Sequence, residues 1–171
     1  TAINTHNKVQ MLKILTTTQC NKILKGFQCS FRFGHAGATS THIMKNSQSV
    51  MKMPHIAQQK INEEIKLNRI EGPFDHYPFK NFRASPIALR QKANNKFRLL
   101  HNLSAPYDGS SVNENIPREE CSVKYDSIIS ALKPIAENRG LFFAKTDIKD
   151  AFRLIPIHPE DHHLLGVSLG G

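Results

Sequence analysis

Apolar positions recur along the chain with two different periods, and the changes between them outline its elements. Ile56, Ala57, Ile61, Ile65 and Leu67 approximate a helical stripe, with Gln58, Gln59, Lys60, Glu63, Glu64 and Lys66 elsewhere on the helix. This pattern predicts a helix over 56–67 that ends before Gly72-Pro73. Pro73, Pro78 and Pro86 then exclude a long helix. Residues 85–90 and 97–103 read as two strands joined by the polar Lys92-Ala93-Asn94-Asn95-Lys96, a hairpin with a basic tip. Beyond the turn signal Pro106-Tyr107-Asp108-Gly109, a polar loop leads to a helix starting near Tyr125 or Asp126. Asp126 is its expected cap, Ile128, Ile129, Leu132 and Ile135 its buried face, and Pro134 its kink or end before Gly140. Residues 141–146 read as a buried strand carrying Asp147 at its end, and 164–169 as a last strand. In the first fifty residues, Phe27, Phe31 and Phe33 alternate as a short strand before the turn-like Gly34-His35-Ala36-Gly37.

At 171 residues the chain is about one domain long. It lacks the run of about 18 apolar residues that a spanning helix needs. Cys20, Cys29 and Cys121 are an odd number in a chain able to form a core, which argues against a disulfide framework and for a reducing compartment. No charged-then-apolar leader is visible, so an intracellular place, cytoplasm or nucleus, is expected. The chain starts on Thr1 and stops on Gly171 within what reads as a strand, so both ends are expected to be cut.

Charge changes the picture more than composition does. The net charge is +9, and residues 1–60 hold eight Lys+Arg and no Asp or Glu. A basic, acid-free segment suits a polyanion, because each phosphate contact releases condensed counterions. Lys8, Lys13, Lys22, Lys25 and Arg32 are its candidate nucleic-acid contacts; a solvated tail is the other reading.

Two segments carry candidate chemistry. In Ala144-Lys145-Thr146-Asp147-Ile148-Lys149-Asp150-Ala151-Phe152, a carboxylate stands where an apolar strand emerges from the core, and a hard divalent cation takes such oxygen ligands. Spacing alone favours the plainer alternative, in which Asp147 caps the next turn and Asp150 pairs with Lys149 or Arg153. In the hairpin, Lys92, Lys96 and Arg98 are able to clamp a triphosphate or to form an ordinary solvated loop. The spacing of Cys20, Cys29, His35 and His42 does not match a zinc site. His158, His162 and His163 around Pro159-Glu160-Asp161 read as an exposed turn with a helix start.

Read in order, Ser85-Pro86-Ile87, then Lys96 to Ser104, then Gly109-Ser110-Ser111-Val112-Asn113, then Thr146 to Asp161 resemble the fingers and first palm motif of reverse transcriptases. The segment Lys60 to Phe74 is similar to that of the tyrosine-recombinase retrotransposons. The resemblance spans about residues 53–171 and implies an α+β fold: right-hand polymerase fingers plus a partial palm, behind a basic N-terminal extension over 1–52. It implies that Asp147 is the catalytic, metal-holding aspartate for Mg²⁺, or Mn²⁺ in its place, in a two-metal phosphoryl transfer. Ile148 would add its backbone carbonyl to the metal. Asp150 and Ala151 would lie beside the deoxynucleoside triphosphate, and Phe152 would exclude a ribose 2′-hydroxyl. Arg98 and Lys92 would hold the triphosphate, with an RNA or DNA template-primer as partner and no membrane.

The family also needs an aromatic-x-Asp-Asp motif, and this chain contains no Asp-Asp pair. One aspartate cannot balance two cations and a triphosphate, so these residues by themselves are expected not to polymerise. The alternative from another class is a non-catalytic basic nucleic-acid-binding protein derived from such an element.

Overall fold

The computed structural model describes residues 17–121, 125, 127–137 and 147–170. These form a mixed helix-and-sheet structure, an α+β arrangement. In chain order they are α1 (Thr17–Cys29), β1 (His42–Ile43), α2 (Gln48–Lys52), α3 (Pro54–Lys66), β2 (Arg83–Ala84), β3 (Ile87–Gln91), β4 (Phe97–His101), α4 (Arg118–Cys121) and α5 (Ile128–Glu137). Short 3₁₀ helices occupy Asn113–Asn115, Ala151–Leu154 and Pro159–Leu164.

The stripe expected over 56–67 is α3, opened two residues earlier by Pro54, whose fixed φ suits the first helical turn. Ala57 and Ile61 are buried, and with Val50, Ile87, Leu89 and Leu99 they make the core, flanked by Ile56, Ile65, Val167 and Leu169. The helix stops because Asn68 adopts φ +54, the left-handed conformation asparagine tolerates. Asn68 N–H then donates to Ile65 O at 2.9 Å, and Arg69 N–H to Glu64 O at 3.0 Å. These bonds satisfy carbonyls left over at the helix end and turn residue 69 back over the last turn.

The expected hairpin is β3–β4, antiparallel, with Ile87 opposite His101 and Gln91 opposite Phe97. Lys92 N–H donates to Lys96 O at 2.7 Å, and Asn95 at φ +57 closes the turn. Ile87, Leu89 and Leu99 face the core, while Arg90 and Arg98 face out as cross-strand partners. The free edge of β3 is covered by side chains: Asn46 Oδ1 accepts from Ile87 N–H and Ser49 Oγ from Leu89 N–H, both at 3.0 Å. After β4, Ser111 and Glu114 cap one another around fully buried Val112, with Ser111 Oγ donating to Glu114 Oε2 at 2.7 Å.

β1 and β2 pair in parallel. Gly166 bridges the other side of β2, donating to Arg83 O while its own carbonyl accepts from Ser85 N–H. A Cβ at Gly166 would stand 2.7 Å from Arg83 O, so the close approach requires glycine. The expected strand over 164–169 is therefore a correction: Leu164 closes a 3₁₀ helix, and only Gly166 makes a bridge. The turn with a helix start at His158 is found, with Pro159 at the first position and His158 Nδ1 accepting from Glu160 N–H.

Three other expectations are revised. Phe27 belongs to α1 rather than to a strand; it packs edge-on against Phe31, and Phe31 makes a single bridge to Ile157. The alternation came from two separate elements that meet at Ser30, where φ is +70. Helix α5 forms and contains Pro134, but Ile128, Ile129, Leu132 and Ile135 are 76%, 73%, 51% and 40% exposed rather than buried. Periodicity marks a face without supplying what covers it. Ser127 caps this helix through Ser130 N–H at 3.2 Å; Asp126, the expected cap, lies outside the described residues, as does the expected strand over 141–146. Packing also runs across the 52–53 division, since Val50 is 2% exposed in the same core as α3. No helix among the described residues is long and apolar enough to cross a membrane.

Candidate functional site

Asp147 and Ile148 are exposed and lie in irregular chain just before a turn. Asp150 takes φ +56, and its carbonyl accepts from Arg153 N–H at 2.8 Å, which starts the 3₁₀ helix Ala151–Leu154. Ala151 is half-buried in that turn, whereas Phe152 is 86% exposed. An aromatic ring so placed contributes little to folding and presents a bare apolar surface.

The C-terminal end of α3 holds this segment. Arg69, turned back by the left-handed Asn68, places Nη1 3.4 Å from Asp150 Oδ2 and 3.6 Å from Glu64 Oε2. Arg153 Nη1 lies 2.8 Å from the same Glu64 oxygen. Glu64 and Arg69 are largely shielded from solvent, so the four charges form a neutral clamp that is screened less than a surface pair. The plainer sequence reading paired Asp150 with Lys149 or Arg153; its partner is Arg69, because Arg153 is taken by Glu64.

The hairpin supplies a separate basic surface. Arg90 and Arg98 are directly opposite one another, with exposed Lys92 and Lys96 at the turn. None of the four makes an ion pair among the described residues. Like charges placed opposite each other disfavour the strand pairing, and an anion relieves that repulsion. No hydrogen bond or ion pair among the described residues links this surface to Asp147.

Comparison with protein-family models, curated proteins and solved structures finds no match to this chain.

The basic residues of the N-terminal region are distributed unevenly. Lys22 and Lys25 are exposed on α1, while Lys8 and Lys13 lie outside the described residues. Arg32 is already engaged: Nε donates to Asp161 Oδ2 at 3.0 Å, and Nη1 pairs with Glu160. Phe33 N–H donates to the same Asp161 oxygen at 2.7 Å. Burial pushes the Asp161 carboxyl up, but Arg32 and the Phe33 N–H outweigh it and hold the group below the ordinary carboxylate range.

Among the described residues no group of three or more His, Cys, Asp or Glu is placed to hold a metal ion. Asp147 makes no ion pair among them, so it suits one ligand position of a hard cation, whereas the Asp150 carboxylate is held by Arg69. One carboxylate and a neighbouring carbonyl do not by themselves make a cation site. Sequence reading missed Glu64 and Arg69, whose only signal was a charge pair straddling a helix end. It also missed Asp161, whose partners stand more than a hundred residues away.

Proposed function

We propose that the chain forms the fingers and first palm segment of a retroelement RNA-directed DNA polymerase, a reverse transcriptase. Support comes chiefly from the segment after Asp147. Asp147 and the Phe152 ring are left exposed while Asp150, between them, is paired with Arg69 just beyond α3 and Arg153, after them, with Glu64 on α3, the division of labour a nucleotide-facing turn needs. In this reading Asp147 and the Ile148 carbonyl would hold Mg²⁺ together with further carboxylates from outside the described residues. Asp150, Ala151 and Phe152 border the deoxynucleotide, and Arg98 and Lys92 meet its triphosphate. When bound there, the ion would supply charge neutralisation at the transferred phosphoryl group. The basic outward face of the hairpin supports the same reading, since a triphosphate is the anion it suits.

The test uses a polypeptide that carries these residues through to an aromatic-x-Asp-Asp strand. It should extend a DNA primer on an RNA template with deoxynucleotides, and Phe152→Ala should admit ribonucleotides. Extension with unchanged discrimination in Phe152→Ala would overturn the role of the ring.

A second reading is a non-catalytic nucleic-acid-binding protein derived from such an element, favoured by the acid-free basic residues 1–60 and by exposed Lys22 and Lys25. A salt titration of oligonucleotide binding separates the two. A steep slope that disappears on deleting residues 1–60, without dependence on Mg²⁺ or deoxynucleotide, supports the binding protein.

A further inference from the structure

The outward face of the β3–β4 hairpin concentrates positive charge that nothing in the fold offsets. Residues 76–107 hold six Lys+Arg and no Asp or Glu. Four of the six, Arg90, Lys92, Lys96 and Arg98, are exposed on the hairpin. Strand alternation sends Leu89, Phe97 and Leu99 to the core, which turns Arg90 and Arg98 outward as a directly opposed pair. Two residues along, Lys92 N–H donates to Lys96 O at 2.7 Å and pairs the two lysines across the turn. The four cations therefore form a rectangle, with side-chain origins about 5 Å apart across the strands and about 7 Å apart along them.

Hydrogen bonds fix the turn beneath these side chains. Asn94 Oδ1 accepts from Lys96 N–H at 3.2 Å, Asn95 N–H donates to Lys92 O at 3.0 Å, and Gln91 Nε2 donates to Asn95 Oδ1 at 3.1 Å. A backbone already held in place leaves less to order when a ligand binds. None of the four cations makes an ion pair among the described residues. A guanidinium does not lose its proton in a protein, so Arg90 and Arg98 cannot relieve their repulsion by deprotonation. An anion on this face does relieve it.

We infer that Arg90 is a second guanidinium of a triphosphate site on this face, beside Arg98 and Lys92, and that the opposed pair selects a chain of phosphates over a single one. A lone phosphate, about −2 at most, leaves half of the charge of the four cations unmatched. Arginine meets phosphate oxygens bidentately, and two such forks side by side suit oxygens on adjacent phosphates. In a triphosphate the phosphates are joined directly, which suits a patch this small, whereas a nucleic-acid strand separates them by sugars. Naming a nucleotide as the carrier rests on the polymerase reading. The resemblance gives roles to Arg98 and Lys92 and none to Arg90, whose place comes from the strand register.

The test is a titration of the 171-residue chain with inorganic tripolyphosphate in magnesium-free buffer, against phosphate at matched ionic strength, read at the arginine Nε–H resonances. Tripolyphosphate should bind about tenfold tighter than phosphate and move the Arg90 and Arg98 resonances together. Both residues are exposed, so their variants should fold. Arg90→Gln should weaken tripolyphosphate about fivefold, and Arg90→Lys, which keeps the charge and loses the fork, about twofold. Without ligand, Arg90→Gln should unfold about 1–3 °C higher, because like charges no longer stand opposed. Lys22→Gln together with Lys25→Gln on α1 should leave tripolyphosphate binding unchanged; loss of binding there places the anion on the N-terminal region and overturns the proposal. Binding lost in Arg98→Gln and unchanged in Arg90→Gln overturns the role of Arg90 while the polymerase reading stands. Binding unchanged in both overturns the proposal together with the triphosphate contact that reading gives Arg98. A single-stranded oligodeoxynucleotide that moves the Arg90 resonance where tripolyphosphate does not makes this a strand-binding surface and overturns the proposal as well.

Discussion

Asp161→Ala tests whether the first and last described thirds of the chain are one folded unit. The carboxylate is 3% exposed, accepts from Arg32 Nε at 3.0 Å and from Phe33 N–H at 2.7 Å, and so ties residues 32–33 to a turn more than a hundred residues later. Removing it deletes two hydrogen bonds to an ionised group and leaves the Phe33 N–H without its acceptor. Hydrogen bonds to charged groups are worth about 1.5–3 kcal/mol each. The Arg32 contribution must be discounted, because its side chain is 55% exposed and screened by solvent. A total loss of about 2–3 kcal/mol follows, which for a chain of this length lowers the midpoint by about 4–12 °C. Asp161→Asn should fall between wild type and alanine, because the amide oxygen still accepts from Phe33, and Arg32→Met should cost less than either. The assay is urea unfolding at pH 7 with the slope held equal among variants. The Asp161 carboxyl is held low in the folded chain, so its contribution is full above the unfolded carboxylate range and fades as pH falls below about 4. An Asp161→Ala chain within about 0.5 kcal/mol of wild type at pH 7 would show that the Asp161 carboxylate does not hold Arg32 and Phe33 to the turn.

Three further outcomes are expected. Ile87 is fully buried at the centre of the core, so Ile87→Ala should lose about 2–5 kcal/mol in urea unfolding, whereas Ile43→Ala, at a 45% exposed position, should be close to neutral. Burial, assisted by Arg153, holds the His101 imidazole low against a hydrogen bond to the Gly166 backbone, and His35 is held low as well. The unfolded chain therefore binds more protons below about pH 6.5, and stability should fall as pH drops from about 7 to 5; His101→Phe should flatten that profile, and an unchanged slope would contradict it. Arg69→Met should loosen the segment after Asp147 by about 1 kcal/mol, read as roughly fivefold faster hydrogen exchange at the Arg153 amide, which donates to Asp150 O.

What the sequence made legible is what depends on local period and local stereochemistry. The stripe from Ile56 to Ile65 gave α3 within two residues, because one face of a helix is written at fixed spacing. The hairpin was legible because two alternating runs flank a five-residue polar turn, and the turn before the last helix because Pro159 follows His158. What the sequence left hidden has a different cause. Val50 enters the core from a segment read as an extension, and its burial depends on β3 nearly forty residues later. Arg32 read as a nucleic-acid contact because its charge is visible in the sequence while its partners at Glu160 and Asp161 are not adjacent to it. The apolar face of α5 had a period and no stated neighbour, and its side chains are exposed among the described residues. Of the candidate site, Asp147 and Phe152 were legible as residues; the Glu64–Arg69–Asp150–Arg153 clamp was not, because it joins a helix end to a turn about eighty residues away.

The most direct test of the polymerase reading is single-turnover primer extension on an RNA template, with Mg²⁺ and deoxynucleotides, by a polypeptide carrying these residues through an aromatic-x-Asp-Asp strand, compared with its Asp147→Asn variant. The parent should extend the primer and the variant should not, with urea stability unchanged because Asp147 is exposed. Extension at the parent rate by Asp147→Asn would contradict it and remove this carboxylate from the chemistry.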